Sequence, residues 1–114
     1  MYVLINGTSF SASSILASNL HATKRAIFVG DETGGAYNGT VAGIYKTVAL
    51  QNSNVKLSFG LMQVETPFKS KIEGYGIKPD IRITPTQKDR AQQLDPEFEW
   101  ILNTVENKNP SLKK

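Results

Sequence analysis

Residues 2–30 read YVLINGTSFSASSILASNLHATKRAIFVG, and this stretch decides the fold. Tyr2-Val3-Leu4-Ile5 is a short apolar run with two β-branched residues, the pattern of a strand buried on both faces. Asn6-Gly7-Thr8-Ser9-Phe10 is a turn. From Ser11 to about Lys24 the apolar residues Ala12, Ile15, Leu16 and Leu20 fall on one helical stripe. Ser9 or Ser11 can cap that helix, and Lys24 and Arg25 put positive charge at its C-terminal pole. Ala26-Ile27-Phe28-Val29 is a second short apolar strand. Strand, helix and strand in immediate succession form a βαβ unit, with a right-handed crossover expected. A parallel pair of this kind needs cover on both faces and partners on both edges. Later segments must supply these, or the chain is the C-terminal part of a larger domain.

Outward from this unit the pattern loosens. Gly30 to Gly43 carries five glycines (30, 34, 35, 39 and 43) and reads as loop or turns. Residues 44–66 suggest several short antiparallel strands, from Thr47–Leu50, Val55–Phe59 and Met62–Thr66, with a turn at Asn52-Ser53-Asn54. Residues 67–71 form a polar loop, Gly74–Pro79 a Gly/Pro turn, and Ile81–Ile83 a last short strand. Asp95-Pro96-Glu97 opens a helix with Asp at the N-cap and Pro at the first helical position. Phe98, Ile101, Leu102 and Val105 give that helix its apolar face, and Trp100 reads as core. The expected class is α/β: a β-α-β core with additional short antiparallel strands and a C-terminal helix. The expected partition is one domain over 1–107 and a flexible basic tail over 108–114.

Length and charge narrow the function. The 114 residues suffice for one domain and a modest core. With 39% hydrophobic and 20% charged residues and no long apolar run, the chain reads as neither a membrane span nor a highly charged disordered segment. The net charge is +3, yet Lys108, Lys113 and Lys114 account for it, leaving 13 − 3 = 10 bases against 10 acids. The folded part thus has no basic excess of the kind that binds nucleic acid. There is no Cys, which excludes thiolate metal sites and Cys nucleophiles, and one His, at position 21. No metal site built on two histidines can form within one chain, and no cofactor is expected.

Ser11 leads the candidates for chemistry. It stands between a strand and a helix, where unpaired N–H groups and the helix dipole favour developing negative charge. The Ala12 N–H can help hold an oxyanion there. On position alone, simple capping is the commoner role of such a serine. A nucleophilic Ser needs a base. His21 lies ten residues along the same helix, about 15 Å away, and cannot serve. Lys24 fails for the same reason, while Lys46, Lys69 and Lys71 read first as solvated surface groups. Glu73, before Gly74-Tyr75-Gly76, is a second candidate whose bland reading is a surface carboxylate. Gly30-Asp31-Glu32-Thr33-Gly34-Gly35 lacks a Walker A ending and places acids where phosphate would sit. Its glycines read as tight turns or close backbone approach.

Four pieces carry a resemblance that any one alone would not. They are Val3–Gly7, Ser9–Ser13, Ala26–Gly35 and Ile72–Asp80, in that order. Over about residues 2–86 the chain resembles the C-terminal processing (tail-specific) serine peptidases, among them the tricorn protease core and the retinoid-binding repeats. The resemblance implies a crotonase-like or ClpP-like fold, Ser11 as nucleophile and Ala12 as an oxyanion donor. It also implies substrate contact at Gly34 and Gly35. In the branch with a Ser–Lys dyad the lysine would stand at Ala36. The tricorn-like branch instead uses a Ser-His-Ser-Glu tetrad, whose Glu corresponds to Glu73. Its His and second Ser come from a segment upstream of this chain.

The resemblance implies a polypeptide substrate and a missing upstream part of the same catalytic domain, and it leaves room for a homo-oligomer. It also points to the bacterial envelope or periplasm. The alternative readings are a non-catalytic binding module of the same fold and, less in keeping with the residues, an acyl-CoA enzyme.

Overall fold

The computed structural model describes residues 1–108. In chain order the elements are β1 (Tyr2–Ile5), α1 (Ala12–Ala22), β2 (Ile27–Gly30), β3 (Gly39–Ala49), β4 (Lys56–Glu65), β5 (Ile81–Arg82), α2 (Gln87–Ala91) and α3 (Pro96–Lys108). β1 and β2 run parallel, in register from Tyr2↔Ile27 to Ile5↔Gly30. β5 adds to the other side of β2 through Val29↔Ile81 and Gly30↔Arg82, giving a parallel sheet in the order β1-β2-β5. The βαβ unit and the α/β class are therefore as the apolar runs and the helical stripe predict. The Asp80 carboxylate accepts the Phe28 N–H at 2.7 Å and fixes the entry to β2 from the far end of the chain.

The core sits between α1, the sheet and one loop. Ile5, Ala17, Phe28 and Ile77 form it, with Val3, Leu20, Ala26 and Tyr37 packed around them. Phe28 is completely buried, so it fills the space beneath the helix. Ile77 comes from a loop, which ties the Gly74–Pro79 turn into the core.

Two expectations about burial are corrected. β1 is not buried on both faces: Ile5 is buried, but Leu4 stays 45% exposed. The expected stripe of α1 is not its buried face either. Ser14, Ala17 and Ser18 are buried, whereas Leu16 is exposed and Ile15 and Leu20 are only half-buried. Small residues face inward because a loop backbone lies against this side of the helix. The hydroxyls satisfy themselves in place, Ser14 donating to the Ser11 carbonyl and Ser18 to the Ser14 and Tyr37 carbonyls. A buried hydroxyl without such partners would cost more than the packing returns.

The middle of the chain differs more. In place of several short strands there is one long antiparallel hairpin, β3–β4, paired from Gly39↔Glu65 to Ala49↔Lys56. The register slips between Ala42 and Tyr45, so Gly43 and Ile44 together oppose Leu61, a β-bulge. Gly43 takes a φ of +77° there, which only glycine adopts without strain. The expected turn at Asn52-Ser53-Asn54 closes the hairpin, with the Leu50 N–H donating to the Val55 carbonyl at 3.0 Å.

At the C-terminal end, Asp95 caps α3 by accepting the Phe98 N–H at 2.9 Å, as the Asp-Pro signal predicts. Trp100 packs edge-on against Tyr2, with ring centroids 6.1 Å apart, and is half-buried rather than core. α2 is an element the apolar pattern does not announce. Its Thr86 and Asp89 form a reciprocal capping box. Lys108 is the last residue of α3, and its Nζ reaches the Tyr2 hydroxyl at 3.3 Å. The remainder of the basic tail, residues 109–114, lies outside the described residues.

Candidate active site

The turn between β1 and α1 places Ser11 at the mouth of the helix in an unusual backbone state. Its φ is +54° and its ψ −118°, a conformation that residues other than glycine rarely adopt. Ser11 occupies the N-cap position, but its side chain makes no capping hydrogen bond. The bland reading of this serine as a cap is thereby set aside. Ser9 does not cap the helix either; its hydroxyl accepts the Asn6 N–H at 3.2 Å and closes the preceding turn. The Ser11 carbonyl receives two donors, the Ile15 N–H at 3.0 Å and the Ser14 hydroxyl at 2.8 Å. The backbone is held and the side chain is left exposed. Ala12, also exposed, offers the first N–H of the helix, which has no partner within the helix itself.

The glycine loop lies directly against this elbow. The Gly35 N–H donates to the Ser9 carbonyl at 3.0 Å. A Cβ on Gly35 would stand 2.8 Å from the Ser14 Cβ, and one on Gly34 would stand 2.6 Å from the Phe10 ring. This is the close approach that the paired glycines imply. Gly35 is buried and its two backbone groups are both taken, its carbonyl accepting the Thr33 hydroxyl at 2.8 Å. Gly35 thus supports the elbow, and of the two glycines singled out for substrate contact only Gly34 is exposed. Ala36 comes next, half-buried and without a basic group.

The same loop grips the segment that carries Glu73. Thr33 exchanges bonds with Ile77: its N–H donates to the Ile77 carbonyl at 3.1 Å and its hydroxyl accepts the Ile77 N–H at 2.8 Å. The Glu32 carboxylate accepts the Gly76 N–H at 2.9 Å, and the Tyr37 N–H donates to the Tyr75 carbonyl at 2.8 Å. Glu73 itself is exposed and precedes Gly74, whose φ is +80°. Ser11 and Glu73 are thus carried on two loops clasped by a third.

The other candidate bases are placed elsewhere. His21 sits at the far end of α1, its Nδ1 3.3 Å from the Tyr37 hydroxyl and its ring edge-on to that phenol. Lys69 is engaged with the Glu65 carboxylate at 2.8 Å and the Asn38 carbonyl at 3.0 Å. Lys46 lies on the exposed hairpin, and Lys71 is exposed. Among the described residues no three His, Asp or Glu side chains converge as a metal site would need. A groove of about 480 Å³ opens beside His21, Tyr37, Ile72, Tyr75 and Lys78, and Ser11 does not line it.

Sequence reasoning singled out Ser11, Ala12 and Glu73 but not Ser14, Glu32 or Thr33. The only local signal for Ser14 and Ser18 is two small residues four apart on a helix. Glu32 and Thr33 act on partners 44 residues away, which no local pattern reveals.

Residues 1–83 match peptidase family S41. The chain is 33% identical over 94 residues to the carboxyl-terminal-processing peptidase 1, chloroplastic, of Arabidopsis thaliana, covering 82% of this chain and 18% of that protein. It is 37% identical over 93 residues to the carboxy-terminal-processing protease of Bartonella bacilliformis, covering 82% and 20%. A third relative, the carboxyl-terminal-processing peptidase 3, chloroplastic, of Arabidopsis thaliana, is 34% identical over 84 residues, covering 74% and 15%. The aligned chain thus spans no more than about a fifth of the length of these relatives.

Proposed function

The chain belongs to peptidase family S41, and from that premise we propose that residues 1–107 form the nucleophile-bearing, C-terminal part of a serine peptidase catalytic domain. One observation carries the reading. A serine stands at a helix mouth in a strained conformation, its carbonyl doubly held and its hydroxyl free of any capping role. Strain of about 1–3 kcal/mol at a single residue persists only where its surroundings impose it, and such residues cluster at active sites.

The chemistry follows from that placement. Ser11 Oγ attacks the carbonyl carbon of a peptide bond, and its proton passes to a base outside this chain. The Ala12 N–H donates to the oxyanion that forms. The protonated base returns its proton to the leaving amine, and water then hydrolyses the acyl-enzyme. With no lysine at position 36, the tricorn-like arrangement fits these residues better than a Ser–Lys dyad. Glu73 then orients a neighbouring member of a tetrad whose His and second Ser come from an upstream segment. A polypeptide substrate lies extended, with the exposed Gly34 backbone beside it. The crotonase-like or ClpP-like form of the complete domain is part of the same proposal. Support for further chain completing the sheet comes from the edge of β1, which has no strand partner among the described residues, and from the exposed Leu4 and Leu16 beside it.

The test is turnover of an unstructured protein substrate by the 114-residue chain and by the full-length gene product, each beside its Ser11→Ala variant. The full-length product should cleave in a Ser11-dependent way, and the isolated chain should show little or no turnover. Clear Ser11-dependent cleavage by the isolated chain would mean that the base lies within it. The groove beside Tyr37 and Tyr75, which Ser11 does not line, favours the rival reading of a binding module. Under that reading the full-length product would bind peptide without cleaving it.

A further inference from the structure

We infer that Thr33 is a positioning residue that sets the spacing between the Ser11 elbow and the Glu73 loop; this rests on the peptidase reading above. Thr33 is 4% exposed, and its single hydroxyl works in both directions. It donates to the Gly35 carbonyl at 2.8 Å and accepts the Ile77 N–H at 2.8 Å. Its own N–H adds a third bond, to the Ile77 carbonyl at 3.1 Å. On one side the path continues from Gly35 to Ser9, two residues before Ser11. On the other it continues from Ile77 through Gly76 to Glu73. Glu32 reinforces this second side by accepting the Gly76 N–H. The approach is so close that a Cβ on Gly76 would strike the Thr33 carbonyl and hydroxyl.

A hydroxyl that bridges two buried backbone groups cannot be replaced by a methyl without leaving both unpaired. The β-branch of threonine also restricts the rotamer in which both bonds form. The loops would then settle at a slightly different separation. Catalytic groups displaced by about 1 Å can lose about 100-fold in rate while binding is little affected. Thr33 therefore acts on kcat through Ser11 and Glu73 without touching substrate.

The experiment compares Thr33→Val, which is nearly isosteric, with Thr33→Ser, which keeps the hydroxyl. In the full-length gene product Thr33→Val should lower kcat roughly 10- to 100-fold with KM within about threefold. Thr33→Ser should restore kcat to within about threefold of the parent. An unchanged kcat in Thr33→Val, a KM that rises in step, or no rescue by serine overturns the inference. Should Thr33→Val not fold, Glu32→Ala removes the parallel bond to Gly76 from a half-buried site, and an unchanged kcat there overturns it as well.

A second readout does not depend on turnover. In NMR spectra of the 114-residue chain, Thr33→Val should shift the amide signals of both Ala12 and Glu73, and Thr33→Ser should not. Shifts confined to Gly35 and Ile77 contradict the coupling. Failure of the peptidase reading is distinguishable, because it appears in the parent protein itself, as no turnover or as hydrolysis that survives Ser11→Ala, while the amide shifts still test the coupling through Thr33.

Discussion

Ser14 donates its hydroxyl to the carbonyl of Ser11 at 2.8 Å, so a buried serine inside the helix holds the backbone of the exposed serine at its mouth. The relationship explains how a residue can sit at φ +54° without relaxing. The carbonyl is pinned by Ser14 and Ile15, Ser14 is pressed by Gly35, and Gly35 is tied to Ser9. Each link is short, and the hydroxyl of Ser11 takes no part in any of them.

The strain itself can be measured. Glycine accepts positive φ freely, whereas alanine pays the same backbone cost as serine. Ser11→Gly should therefore unfold at higher denaturant than Ser11→Ala, by about 1 kcal/mol. Urea unfolding of the two variants checks this. Equal midpoints, or a lower one for glycine, would show that the turn is not strained.

Gly35 should tolerate no side chain. A Cβ there would stand 2.8 Å from the Ser14 Cβ and 3.2 Å from the Phe10 Cα. Gly35→Ala should cost about 1–3 kcal/mol, as overpacking usually does, and should displace Ser14 from the Ser11 carbonyl. Thermal melting gives the cost, and the amide shift of Ile15, which shares that carbonyl, reports the displacement.

The core is small enough that one cavity should dominate. Phe28 is fully buried beneath α1, and truncation to alanine removes about 3–5 kcal/mol. That is comparable to the whole stability of many domains, about 5–15 kcal/mol. Phe28→Ala should lose its cooperative melt or lower the midpoint by well over 10 °C. A shift of only a few degrees would mean that the packing beneath α1 is looser than described.

Asp89 provides a pH-dependent check on a helix the apolar pattern misses. The Thr86 hydroxyl, then the Thr86 backbone N–H, hold its carboxyl below the ordinary aspartate value of 3.8, with Lys88 helping. A depressed folded pKa means that the contribution is fully present above the unfolded value and is lost as pH falls through the folded one. The capping of α2 should therefore weaken only below about pH 4. A carboxyl titration by NMR should place Asp89 below its ordinary value in the parent and closer to it in Thr86→Ala. No change between the two would remove the hydroxyl as the cause.

How much of this was legible depended on the range of the forces involved. β1, α1 and β2 could be read because apolar runs and helical spacing are local signals. Ser11 could be read because a helix mouth next to a strand is a local position. The single long hairpin could not: Gly60 and the bulge at Gly43-Ile44 interrupt the alternation that marks a strand. α2 is five residues, four of them polar and the fifth Ala91, with no apolar stripe, and only its Thr86-x-x-Asp89 spacing announces it. The inward face of α1 does not follow its apolar stripe because a loop backbone, beside the side chains of the sheet, packs against Ser14 and Ser18. Small serines win there over Leu16. The clasp by Glu32 and Thr33 joins residues 44 positions apart, so it becomes visible only once the chain is folded.

The central claim is that Ser11 is a nucleophile, and covalent trapping tests it most directly. The full-length gene product would be treated with a fluorophosphonate, digested and mapped by mass spectrometry. The account predicts one phosphonylated site, on the peptide bearing Ser11, absent from Ser11→Ala and slowed at least tenfold in Thr33→Val. A protein that hydrolyses peptides yet is not modified at Ser11, or one labelled equally well after Ser11→Ala, would contradict it.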